Sequence, residues 1–67
     1  MEEIKTIDQA INLAAKELPG GYQIEIMVER HGYGVCLVDQ AGDKIDIDEF
    51  DIKECIIGAL EFLRVAT

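Results

Sequence analysis

Between Tyr22 and Ile47 apolar and polar residues alternate with a period of two, broken twice by short glycine-bearing stretches. That is the pattern of three half-buried antiparallel strands. In the first run Tyr22, Ile24, Ile26 and Val28 alternate with Gln23, Glu25, Met27 and Glu29. In the second, Tyr33, Val35 and Leu37 share one side, and Gly34, Cys36 and Val38 the other. Asp39-Gln40-Ala41-Gly42-Asp43 suits a three-residue loop with Gly42 at positive φ, which pairs Leu37 with Ile45 and Val35 with Ile47. A two-residue His31-Gly32 turn pairs Val28 with Val35 and Ile26 with Leu37, and leaves His31 as a turn residue tolerant of positive φ. A one-residue slip in either hairpin would turn an apolar set to the wrong face.

On both flanks the period changes to that of a helix. Thr6 followed three residues later by Gln9 is a capping box that opens a helix at Ile7. Ile7, Ile11, Ala14 and Leu18 form its apolar stripe, with Ala10 and Ala15 beside it. Pro19-Gly20-Gly21 ends it. Ile4, ahead of the cap, either docks against the core or marks an earlier helix start. After the sheet, Asp48 with Asp51 reads as the N-cap and first turn of a second helix running to about Val65. Its stripe is Ile52, Ile56, Ala59, Leu60 and Leu63, widened by Cys55 and Phe62. Phe50 and Ile57 lie off that stripe; either neighbours cover them, or they form a dimer or partner contact. The expectation is a single α+β domain over residues 1–67, in the order α-β-β-β-α. Its three-stranded antiparallel sheet has order 1-2-3, and both helices lie on one face.

That order resembles the topology of double-stranded-RNA-binding domains. Those domains present lysines at the start of the second helix to grip phosphates, where this chain has Asp48, Glu49 and Asp51. The RNA-binding function does not carry over with the topology.

Composition sharpens this. Fourteen acids against six bases give 67 residues a net charge of −8, which repels DNA, RNA and anionic membranes and favours basic partners. Met1 is followed by Glu2 and Glu3, and no basic segment leads into an apolar run. The chain therefore reads as having no signal peptide or membrane span, and as cytoplasmic. Cys36 and Cys55 suit that compartment as reduced thiols. With one histidine they fall short of a structural zinc set.

Candidate chemistry is sparse, and no cofactor signature is present. Residues 39–50, DQAGDKIDIDEF, end like an EF-hand calcium loop, but aligning Glu49 with the last ligand puts Val38 first and Asp43 where glycine belongs. The chain has no serine, and its one histidine, His31, lies about five residues along the strand from Cys36. Carboxylates are many, but acid–base catalysis needs a cleft that raises one pKa, and a chain this small offers little room for one. The expectation is a protein without enzymatic activity.

The face opposite the helices is the candidate surface. In this register Glu29, Gly34 and Asp48 share one row, Met27, Cys36 and Asp46 the next, and Glu25, Val38 and Lys44 a third. An apolar strip of Met27, Cys36 and Val38 is thus ringed by Glu25, Glu29, Asp46 and Asp48, with Glu49 and Asp51 close by. Residues 39–54 alone carry seven acids against two lysines. An acidic rim around an apolar centre attracts and then holds a basic partner. The reading is a small binding protein that occupies a basic, nucleic-acid-binding site on another protein. In size and charge it resembles phage anti-defence proteins, anti-CRISPR inhibitors among them, that act as nucleic-acid mimics. Two alternatives are an antitoxin-like or adaptor protein for a small basic partner, and a structural homodimer through Phe50 and Ile57.

Overall fold

The structure, a computed structural model, describes residues 3–66. Its elements follow the expected order: α1 (Ile7–Glu17), β1 (Gln23–Glu29), β2 (Gly32–Val38), β3 (Lys44–Ile47) and α2 (Ile52–Ala66). The strands form one antiparallel sheet in the order β1-β2-β3. α1 opens as expected: Thr6 Oγ1 accepts from the Gln9 amide at 3.1 Å, and Gln9 Oε1 accepts from the Thr6 amide at 3.1 Å. Ile4 docks against the core ahead of this cap. α2 begins later than the sequence suggests. Its N-cap is Asp51, whose Oδ1 accepts from the Glu54 amide at 2.8 Å, so Asp48 belongs to the lead-in. Two aspartates three residues apart, Asp48 and Asp51, both suit an N-cap and hid the true start.

The β2–β3 hairpin matches expectation, with Val35 opposite Ile47 and Leu37 opposite Ile45. Gly42 has φ +89, and Asp39 Oδ1 accepts from the Ala41 and Asp43 amides at 2.9 Å each. Residues 39–50 are therefore a hairpin and a helix lead-in rather than a calcium loop. The β1–β2 hairpin differs. Ile26 faces Val35 and Ile24 faces Leu37, two residues away from the expected pairs. The turn is Arg30-His31, with Gly32 already in β2 at φ +154, and no non-glycine residue described has positive φ, His31 included. A shift of two keeps every side chain on its face, so the hydrophobic pattern cannot distinguish these registers.

α2 lies across one face of the sheet, where Ala59 and Leu63 meet Leu37 among Tyr22, Ile24, Ile45 and Ile47. α1 packs on α2 rather than on the strands, through Ala10 and Ala14 against Ile56 and Leu60. Small residues there let the two helices approach closely. Docked this way, α1 leaves Ile7 and Ile11 44% and 45% exposed, although both were expected in its core stripe. The molecule is only 17 Å through its thin axis, the depth of one helix layer on one sheet. No described element covers the other face of the sheet.

Candidate functional site

Alternation along the strands sets the bare face. β1 contributes Gln23, Glu25, Met27 and Glu29; β2 contributes Gly34, Cys36 and Val38; β3 contributes Lys44 and Asp46. The observed register regroups these residues. Glu25, Cys36 and Asp46 now share one row, Gln23, Val38 and Lys44 another, and Met27 lies opposite Gly34.

Part of the expected acidic rim is engaged within the domain. Lys44 Nζ sits 2.9 Å from Glu25 Oε1, an oxygen screened from solvent, in an ion pair that crosses β2 diagonally. The hydrogen bond and charge of Glu25 raise the Lys44 pKa above its ordinary value. Cys36 Sγ donates to Asp46 Oδ1 at 3.3 Å. Cys36 was expected to open onto the apolar strip, but it is buried. It lies on the central strand, and its side chain is too short to rise above its longer neighbours. Its thiol pKa is raised, first by the Asp46 hydrogen bond, then by burial and by the Asp46 charge; Lys44 opposes the shift. The thiol is therefore protonated at neutral pH and a weak nucleophile. Asp46→Ala should lower that pKa toward the ordinary value and speed alkylation of Cys36 severalfold at mildly alkaline pH. Lys44→Met should slow it. Mass spectrometry of the modified thiol, with buried Cys55 as internal reference, reads both.

Two more expected contributors sit elsewhere. Asp51 is occupied by its helix cap. Glu49 turns its side chain toward α2, where its Cγ lies 3.2 Å from the place a Cβ on Gly58 would take. The β3–α2 connection has begun to climb onto the helical side by that point. Val38 is half-buried; of the two apolar residues off the α2 stripe, Phe50 is 91% exposed and Ile57 half-buried.

What remains free clusters at the hairpin end of the face. Glu29 and Asp48 are exposed, and Met27 is 45% exposed. The β2–β3 register, carried one residue further, brings Asp48 level with Gly34. Gly34 has no side chain to fill the space above it. A hollow of about 270 Å³ results, lined by Met27, Glu29, His31 and Tyr33. Tyr33 is held by a 3.5 Å hydrogen bond from its hydroxyl to the Phe50 carbonyl. Gly34 is the site residue that the pattern did not single out. The available signal was a glycine inside a strand, which often marks close approach of another group.

Neither a family model, a curated protein nor a solved structure matches the chain. The resemblance to double-stranded-RNA-binding domains stays one of element order. Among the described residues no three His, Cys, Asp or Glu side chains gather as a metal site would need. No helix there is long and apolar enough to cross a membrane.

Proposed function

We propose that this is a non-enzymatic, cytoplasmic binding protein whose bare sheet face receives basic side chains of a protein partner. By doing so it blocks a surface that otherwise binds nucleic acid, as phage anti-defence proteins of the anti-CRISPR type do. The observation that carries this reading is the hollow over Gly34. A glycine floor, an apolar Met27 wall and the Glu29 carboxylate line the hollow, and exposed Asp48 follows β3 toward the Gly34 row. Together they suit one arginine or lysine, whose stem needs apolar contact and whose head needs an acid. The net charge of −8 supplies steering, screened beyond about 8 Å at physiological ionic strength. Glu25 and Asp46 contribute less, because Lys44 and Cys36 already engage them.

The test is capture of basic proteins from a cell lysate on immobilised protein, eluted over a salt series and challenged with duplex DNA. The native chain should retain a basic partner that DNA displaces. Glu29→Lys with Asp48→Lys should weaken retention roughly tenfold or more. Gly34→Leu should do the same by filling the hollow. Its Cβ would meet only Met27 Cε, at an ordinary 3.8 Å, so the fold should tolerate it. Retention that survives both changes at physiological salt would sink the proposal.

A further inference from the structure

The two edges of the sheet are not alike. β3 is four residues long and carries Lys44 and Asp46, with Asp43 and Asp48 at its ends, the short, charged edge that discourages pairing. β1 is seven residues, about 23 Å. It pairs with β2 without a bulge and contains no lysine or proline. The two-residue turn makes Glu29 and Gly32 the closing hydrogen-bonded pair, and alternation then directs the backbone groups of Ile24, Ile26 and Val28 away from β2. Its two charges, Glu25 and Glu29, both lie on the bare face, so on the helical side this long, bulge-free edge is a template for another strand.

Next to that edge runs an apolar groove of about 290 Å³ between α1 and β1, lined by Ile11, Ala15, Leu18, Ile24, Ile26 and Ile56. Ile7, Ile11, Ile26 and Val28 stand beside or within it at 44%, 45%, 38% and 77% exposure. Ile7 lies one helical turn before Ile11, and Val28 two residues along β1 from Ile26, so these exposed side chains extend the apolar lining of the groove at both elements.

We propose that β1 is a dimerisation edge whose occupant is β1 of a second copy of this chain, paired antiparallel about Ile26. The sequence of the strand selects both occupant and register. Centring on Ile26 sets Ile24 against Val28 of the second copy and Ile26 against its counterpart, so outward-directed backbone groups meet in phase. The bare face then has Glu25 opposite Met27 and Gln23 opposite Glu29, with no carboxylate facing another. Moving the centre to Glu25 sets Glu25 against itself. Moving it to Met27 sets Glu25 against Glu29 twice. Odd shifts put apolar against polar side chains and take the hydrogen bonds out of phase. Among pairings centred on Glu25, Ile26 or Met27, only the Ile26-centred one keeps carboxylates apart, and centres at Ile24 or Val28 leave more than half of β1 unpaired.

The product is a six-stranded sheet with a two-fold axis through Ile26. Both α1 helices lie on its helical side, where Ile7 and Ile11 of each copy close the groove of the other. The bare acidic faces become one continuous surface. The dimer does not depend on the partner-binding reading, and salt separates the two. Each chain carries −8, so added salt tightens the dimer by screening repulsion, whereas it weakens capture of a basic partner.

Sedimentation equilibrium of the full chain at low and high salt, with amide hydrogen exchange, tests this. The expected result is a dimer strengthened by salt, in which the amides of Ile24, Ile26 and Val28 exchange slowly. Val28→Lys, at a position 77% exposed, should leave the circular dichroism of the monomer unchanged and abolish the dimer. Gln23→Lys should tighten the dimer roughly 2- to 30-fold through two new cross-strand pairs with Glu29, and Gln23→Glu should loosen it by a similar factor. A chain still monomeric at about 1 mM overturns the proposal. So does a dimer that survives Val28→Lys, ignores both Gln23 variants, or breaks only on Phe50→Lys. Protection of the β1 edge that arises only when a basic peptide is added assigns the edge to that peptide and likewise overturns it.

Discussion

Replacing Leu37 with alanine is expected to remove about 2–5 kcal/mol of folding stability. Leu37 is fully buried at the centre of the middle strand, against Ala59 and Leu63 of α2 and surrounded by Leu18, Tyr22, Ile24, Ile45 and Ile47. The void left by the substitution cannot close readily, because β2 is hydrogen-bonded on both sides and cannot shift toward α2 without breaking a ladder. Domains carry roughly 0.05–0.15 kcal/mol per residue, which for 67 residues is about 3–10 kcal/mol in all. One methyl-rich side chain thus supplies a large share of the total. Urea unfolding followed by circular dichroism should show the midpoint falling with little change in slope. A loss below about 0.5 kcal/mol, typical of a surface position, would mean that the core is not organised around this residue.

The elements were legible because each announces itself locally. The Thr6–Gln9 box, the alternation of residues 22–28 and 33–38, and Gly42 in its loop each fix one piece without knowledge of the others. Faces were legible for the same reason, which put Glu25, Met27, Glu29 and Asp46 together on the bare side. What depends on pairs of elements was harder to see. The β1–β2 register moved by two residues because that shift preserves faces, and with it moved every β1–β2 neighbour, while the β2–β3 pairs stayed as expected. The Cys36–Asp46 contact lies across the β2–β3 ladder, where the pattern had already placed it, whereas the Lys44–Glu25 pair turned out diagonal across β2 instead of within one row. Burial of Cys36 follows from its place on the central strand between longer side chains, which alternation alone does not report. The stripe on α1 identified its apolar residues correctly, but an apolar stripe does not name its partner. α1 chose α2 through its alanines and left its isoleucines outside.

Ala10→Leu turns that choice into a second prediction. Ala10 is fully buried between α1 and α2, and a larger side chain there should cost about 1–3 kcal/mol in overpacking. The least costly relief is for α1 to lift away. It packs on α2 and not on the strands, and eleven residues form only a marginal helix in water without a docking surface. The Glu17–Arg64 contact at 2.6 Å joins the far ends of the two helices, but its side chains are 34% and 64% exposed, so it contributes roughly 0–1 kcal/mol and cannot hold α1 down. Hydrogen exchange should therefore show amides of residues 10–17 losing protection in Ala10→Leu while those of Val35 and Leu37 keep theirs. Equal loss in both sets would mean that α1 and the sheet unfold as one cooperative unit, and that the alanine contact is as central to the fold as Leu37.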